Sequence, residues 1–368
     1  MKGLWLKHVP FASDISGCMS VFAQSSALVV SQDSNGSVSC LRKILDLDAL
    51  PAFFDSVDLS DLSYAGGDEG RFHQRLVDMF NEFNTGMGGK EDGDSFIVLL
   101  NGPVAALLGV DLRSRAQNLS AALGHTVFAI ETTGNEYYDK GIELAYQEIV
   151  KQIPPSNIKR EGILLLGLNP LDFPDPSFVQ PLRASLDEGG KRAVSDLGYS
   201  DSLDAWGQLS AAESSIVMSA SGLRAARKLQ QERELSFTRI DELDSWDVWV
   251  QGLDLSFCGK TLVLGEQLQS NLLRRLLRKA GVEHVNVASF FICDKVCRED
   301  GDVKLASESD LVALIASGYS TFIADASFAS FAGDCRFFAL THLPSGMRVY
   351  DGGSLSQQWF HDLAAACE

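Results

Sequence analysis

The sequence predicts an α/β protein, parallel sheets flanked by helices, in three consecutive units. Three observations carry this expectation. Short apolar runs of strand length alternate with helix-length amphipathic segments. The runs are continuous rather than alternating, as strands buried on both faces are. The rhythm also restarts twice, after Pro154-Pro155 and near Lys260.

In the first unit, Phe96-Ile97-Val98-Leu99-Leu100 is the clearest strand. Residues 113–123 read as a helix, 126–130 as the next strand and 138–152 as a helix stopped by the diproline. In the second unit, strand 162–166 precedes helix 177–187. A short strand at 192–196, helix 202–209, strand 215–219 and helix 223–234 follow. In the third, strand 261–264 leads into helix 266–280. That helix places Leu268, Leu272, Leu273, Leu276 and Leu277 on one face, with Arg274, Arg275, Arg278 and Lys279 mostly on the other. Strands at 285–292, 321–324 and 337–340 and a terminal helix at 354–367 complete the pattern. Joins near 155 and 255 divide the chain into 1–155, 156–255 and 256–368. Residues 84–94 (NTGMGGKEDGD) read as a loop, 21–30 as a helix or a strand, and 1–50 as the least regular stretch.

Composition bounds the function. Among 368 residues, 31 Lys and Arg face 49 Asp and Glu, for a net charge of −18. Such a surface repels phosphate backbones and anionic lipids, so nucleic acid and membrane surfaces are not expected partners. No apolar run approaches the ~20 residues that span a bilayer. Residues 1–10 lack the apolar core of a signal peptide, so a cytoplasmic location is expected. Seven cysteines, an odd number, fit reduced thiols or metal ligands better than a disulfide framework.

Most motifs have an ordinary reading. Gly86-Met87-Gly88-Gly89-Lys90 lacks the spacing, the following Ser or Thr and the helix of a phosphate loop. Gly265 is a turn entering a helix. The six histidines show no metal-ligand spacing, and there is no GxSxG, HExxH or paired CxxC. Cys293 and Cys297 form a CxxxC beside a charged loop, and two soft ligands do not close a metal site. Cys258, Cys335 and Cys367 read as structural. Cys18 and Cys40 differ: Cys18 follows the irregular Pro10-Phe11-Ala12-Ser13, and Cys40 ends the polar turn Ser34-Asn35-Gly36-Ser37-Val38-Ser39. Thiolates on Gly-bearing loops suit iron–sulfur ligation, because backbone N–H groups can turn toward sulfur.

Several segments together resemble the nitrogenase component 1 type oxidoreductases. Cys18 (GCMSVFA) and Cys40 (NGSVSC) look like that superfamily's opening pair of cluster cysteines. The first belongs at a helix start, and the second closes a His-Gly-Pro turn that is degraded here. Residues 62–69 (LSYAGGDE), before an amphipathic helix to Phe83, are similar to an FGGxxKL segment. Residues 96–112 (FIVLLNGPVAALLGVDL) match a strand followed by Cys-x-x-x-Leu-Ile-Gly-Asp-Asp at Gly109 and Asp111, with Asn101 at the third cluster cysteine. Thr132-Thr133-Gly134 and Gly141 resemble a further run.

The resemblance implies three Rossmann-like domains and a shorter member lacking the cofactor cysteine, whose place Ser219 takes. It implies a homodimer, or a heterodimer with a paralogous chain. Cys18 and Cys40 of each subunit would hold one bridging 4Fe–4S cluster, and Asn101 would be a weak ligand or a loop residue beside it. Electrons would come from an ATP-dependent iron–sulfur reductase protein, with ATP used only by that partner. The product would be a reduced substrate of unidentified class, a tetrapyrrole among the candidates. His342 and His361 are the late histidines, and Glu131, Glu136 and Asp139, which follow the first unit's strands, are candidate cavity acids, each reading first as a solvated loop carboxylate. The catalytic residues stay unassigned. A non-catalytic assembly scaffold or carrier, and a subunit retaining only the fold and pairing with a paralogue, remain open alternatives.

Overall fold

The computed structural model describes residues 5–32, 52–56, 69–86, 95–152, 162–190, 193–196, 211–346 and 353–366. Cys40, the 62–68 segment, most of the 84–94 loop, the diproline, helix 202–209 and Cys367 lie outside the described residues. The first lobe comprises α1 (Asp14–Val21), β1 (Ala27–Gln32), β2 (Phe53–Ser56), α2 (Glu69–Gly86), β3 (Phe96–Asn101), α3 (Pro103–Leu107), α4 (Leu112–Leu123), β4 (Val127–Ile130) and α5 (Tyr138–Gln152). The second comprises β5 (Ile163–Leu166), α6 (Gln180–Glu188), β6 (Ala193–Asp196), β7 (Ser214–Val217), α7 (Leu223–Arg233) and β8 (Ser236–Arg239). The third comprises β9 (Thr261–Leu264), α8 (Gln267–Lys279), β10 (Val285–Ser289), β11 (Val303–Lys304), α9 (Glu308–Ile315), β12 (Thr321–Ala324), β13 (Arg336–Ala339), α10 (Leu343–Gly346) and α11 (Gln357–Ala365).

The strands form three sheets, ordered β2-β1-β3-β4, β6-β5-β7-β8 and β11-β10-β9-β12-β13. Every pairing is parallel. The continuous apolar runs become the central strands: β1, β3, β5 and β9 are buried along their whole length. The open reading of 21–30 resolves into a helix end at Val21 and a strand from Ala27. Strands β2, β8 and β11 escape the sequence pattern. β8 and β11 are edge strands of four and two residues, and β8 alternates exposed with half-buried positions.

Helix α8 buries all five predicted leucines, each worth about 1.5–3 kcal/mol when removed from water. Arg275 and Lys279 pair with Asp244 and Asp247 at the surface, and Arg278 with Glu299. Arg274 departs from the predicted polar face. It is 3% exposed, bonds Asp302 at 2.6 Å and holds the chain between β10 and β11 against the helix.

The first and third lobes are strapped together by the N-terminal segment. Glu308 accepts the backbone N–H groups of Lys7 and His8. The His8 ring stacks on Phe328 at 4.1 Å, and Trp5 and Phe11 pack edge-on against aromatic rings of the third lobe. Burial pulls the His8 pKa below its ordinary value, which favours the uncharged ring in this aromatic nest. Behind the strap, α1 crosses α5 at two glycines. A Cβ on Gly17 would sit 1.8 Å from the Tyr138 carbonyl oxygen, and one on Gly141 would sit 1.7 Å from that of Asp14. Gly17→Ala and Gly141→Ala should each cost about 3 kcal/mol or more, because the obstacle is backbone and cannot rotate away. Urea denaturation measures this, and a loss of only a few tenths would contradict so close a crossing.

Candidate functional site

Helix α1 begins after Ser13, so Ser13 occupies the helix start and Cys18 lies more than a turn further in. Cys18 is therefore helical, as the helix-start resemblance implies, and not on the irregular loop that precedes it. It is 0% exposed and belongs to the apolar core formed with Phe22, Phe128 and Tyr146. Burial, with the nearby Asp14 carboxyl adding to it, pushes its thiol well above the ordinary range, so it stays protonated. Asn101 ends β3, beside Gln32 at the end of β1. Its side-chain oxygen is buried without a hydrogen-bond partner, while its backbone oxygen accepts the Thr132 hydroxyl at 2.6 Å.

The later candidates divide. Ser219, just beyond β7, is wholly buried and donates its hydroxyl to the Gly167 carbonyl at 2.8 Å. Glu131 is exposed and pairs with Arg113, and Glu136 is exposed. Asp139 corrects the picture of a solvated carboxylate: it is buried, accepts the N–H of Ile292, and is pushed by burial to about 6. His361 is exposed on α11. Cys293 accepts a bond from Arg298 and Cys297 one from Arg239, with a short 3-10 turn between them.

His342 leads to the chemistry-rich part of the molecule, where the three lobes meet. The Tyr138 hydroxyl, at the start of α5, donates to Asp172 at 2.6 Å and lies 2.9 Å from His342 Nε2. His342 Nδ1 is 2.6 Å from the Ser345 hydroxyl, and its backbone N–H donates to Asp325. Asn169 forms a turn whose side-chain oxygen accepts the Leu171 and Asp172 N–H groups. The same side chain donates to Asp172 Oδ2 at 2.8 Å. Glu266, capping α8, accepts the N–H groups of Ala220 at 2.7 Å and Gln269 at 2.9 Å. Gln269 in turn donates to the Asp172 carbonyl at 2.7 Å. Burial first, and the facing Asp172 second, raise Glu266 to about 8. Burial likewise drives the Tyr138 hydroxyl well above its usual range. Sequence reasoning missed Tyr138, Asp172 and Glu266. Only the acidic residue before an amphipathic helix, at Glu266, offered a local signal.

This arrangement can hold and exchange a buried proton among carboxyl, phenol and imidazole groups. Iron–sulfur ligation asks for thiolates. Cys18 offers a sealed, protonated thiol, Cys40 lies outside the described residues, and a neutral amide such as Asn101 is a poor ligand for iron. Among the described residues, no group of three His, Cys, Asp or Glu side chains is arranged to hold a metal ion. Of the two expected cluster cysteines, only Cys18 lies among the described residues, and its thiol faces the core.

No family model matches the sequence, and no curated protein matches it. Solved structures do. The chain superposes on nitrogenase Cp1 at pH 6.5 with a TM-score of 0.71 and 13% identity, over 100% of this chain and 94% of that one. For nitrogenase Cp1 at pH 5 the TM-score is 0.66 at 12% identity, over 100% and 89%. The fold is nitrogenase component 1-like. Among the described residues, no helix is long and apolar enough to cross a membrane.

Burial makes a direct prediction about the thiols. In the native protein, a maleimide should label the partly exposed Cys293 and Cys335 and spare Cys18 until denaturant is added. Peptide mass spectrometry reads the order. Early labelling of Cys18 would mean that α1 opens in the folded state.

Proposed function

We propose that this chain is a subunit of a nitrogenase-like oxidoreductase that keeps the three-lobed fold, pairs with a sister chain, and leaves the metal chemistry to that partner. One observation carries the reading. Where the lobes meet, Tyr138, Asp172, His342, Glu266 and Ser219 are all buried and bonded to protein groups. A large cofactor or a tetrapyrrole seated there would have to displace that network. Electrons from an ATP-dependent iron–sulfur reductase would then enter the assembly through the other subunit.

A second reading is favoured by the full-length likeness to nitrogenase Cp1. In it, Cys18 and Cys40 of two subunits grip one bridging 4Fe–4S cluster, and this chain takes the electrons. That requires α1 to turn the Cys18 thiol out of the core.

Anaerobic purification of the full chain, with iron and sulfide assays and light scattering, separates the two. The expected result is a folded chain without stoichiometric iron that forms a dimer when a sister chain is supplied. About four iron atoms per dimer, lost in both Cys18→Ala and Cys40→Ala, would establish the second reading instead.

A further inference from the structure

We propose that the cavity beside the carboxyl end of β5 binds a free apolar α-amino acid, with its side chain on the cavity floor and its charged head between Asp175 and Arg183. This goes beyond the functional reading above and does not depend on it. The cavity has a volume of about 190 Å³. Its floor is Leu168, Phe173 and Val179, all buried, and Asp175, Gln180 and Arg183 line its mouth. Drug-sized ligands occupy about 300–1,000 Å³, whereas about 150 Å³ is enough for benzene, so the occupant is a small molecule with an apolar body. The place is one where open α/β sheets take ligands, because Leu168 lies just past the end of a central strand.

The walls are held in place without an occupant. Phe173 packs on Phe178 at 4.9 Å, and Phe178 on Trp246 at 5.4 Å. Trp246 Nε1 donates to the Phe178 carbonyl at 3.0 Å. Pro176 opens the 3-10 turn 176–179 and Pro181 lies in the first turn of α6, so φ is fixed at both. A rigid site loses little conformational freedom on binding, which favours affinity for a small ligand.

The charges at the mouth select the head group. Asp175 Oδ1 accepts the Ser177 N–H at 2.8 Å, one bond among the several that a carboxylate accepts. Gln180 and Arg183 are three residues apart on α6 and share a face. Arg183 also interacts elsewhere, but a guanidinium has five donors and can grip a carboxylate with two of them. A simple carboxylic acid would face Asp175, and a simple amine would face Arg183. A ligand carrying both charges satisfies both residues. It is also neutral overall, so the field of a chain with net charge −18 does not repel it.

Isothermal titration calorimetry on the full chain tests this, with L-phenylalanine and L-leucine as probes. At least one should bind with a dissociation constant of about 1 mM or tighter. 3-Phenylpropionate and phenethylamine, which each lack one charge, should bind at least about tenfold more weakly than L-phenylalanine. Val179→Trp fills the cavity and should abolish binding. Asp175→Asn keeps the cap on the 3-10 turn, since Asn caps as well as Asp. It should weaken L-phenylalanine about tenfold without weakening 3-phenylpropionate, and it decides the matter if Val179→Trp does not fold. No binding by either amino acid, full binding in Val179→Trp, a one-charge analogue as tight as L-phenylalanine, or full affinity in Asp175→Asn would each overturn the proposal. None of these outcomes bears on the iron assay.

Discussion

A carboxylate with no access to water, Asp172, is the point on which the three lobes converge. Burying such a group costs several kcal/mol unless it is hydrogen-bonded, and a bond to a charged group returns about 1.5–3 kcal/mol. Asp172 recovers that cost from Tyr138 of one lobe and Asn169 of its own, with His342 of the third close by. A shift of one lobe that kept Asp172 buried but removed Tyr138 would leave the carboxyl short of a partner, so polar bonding as well as apolar contact sets where the lobes sit.

The same constraint explains why the centre is closed. Tyr138 stands at the first turn of α5, whose backbone lies against α1 through Gly17 and Gly141. That crossing draws α1 inward and carries Cys18 with it. The strap at Trp5, His8 and Phe11 then lays the segment before α1 over the third lobe. One set of close contacts thus keeps Cys18 in the core and brings the lobes together at Tyr138.

Legibility differed sharply between fold and site. The runs at β3, β5 and β9 and the leucine face of α8 were readable because a strand buried on both faces, or a helix with one buried face, must spell its burial in consecutive residues. Edge strands carry no such demand, so β8 and β11 left no mark. Arg274 read as surface because its periodicity ignores a loop returning from Asp302, twenty-eight positions along the chain. Cys18 was open to a loop reading because the irregular 10–13 segment precedes it, whereas Gly17 beside it lets another helix come close.

What the sequence determined by itself was the α/β class, the parallel sheets and the burial of their central strands, since these follow from local runs and periods. The nitrogenase component 1-like fold was also visible, through short segments in the first lobe. Only tertiary structure decided which polar residues matter. Tyr138, Asp172, Glu266 and His342 are separated by up to 204 positions, and their partnership exists only where three sheets bring strand ends and helix starts to one place. Hydrogen bonds and buried charges act over a few ångströms of space and are indifferent to distance along the chain, so no reading of neighbours could have joined them.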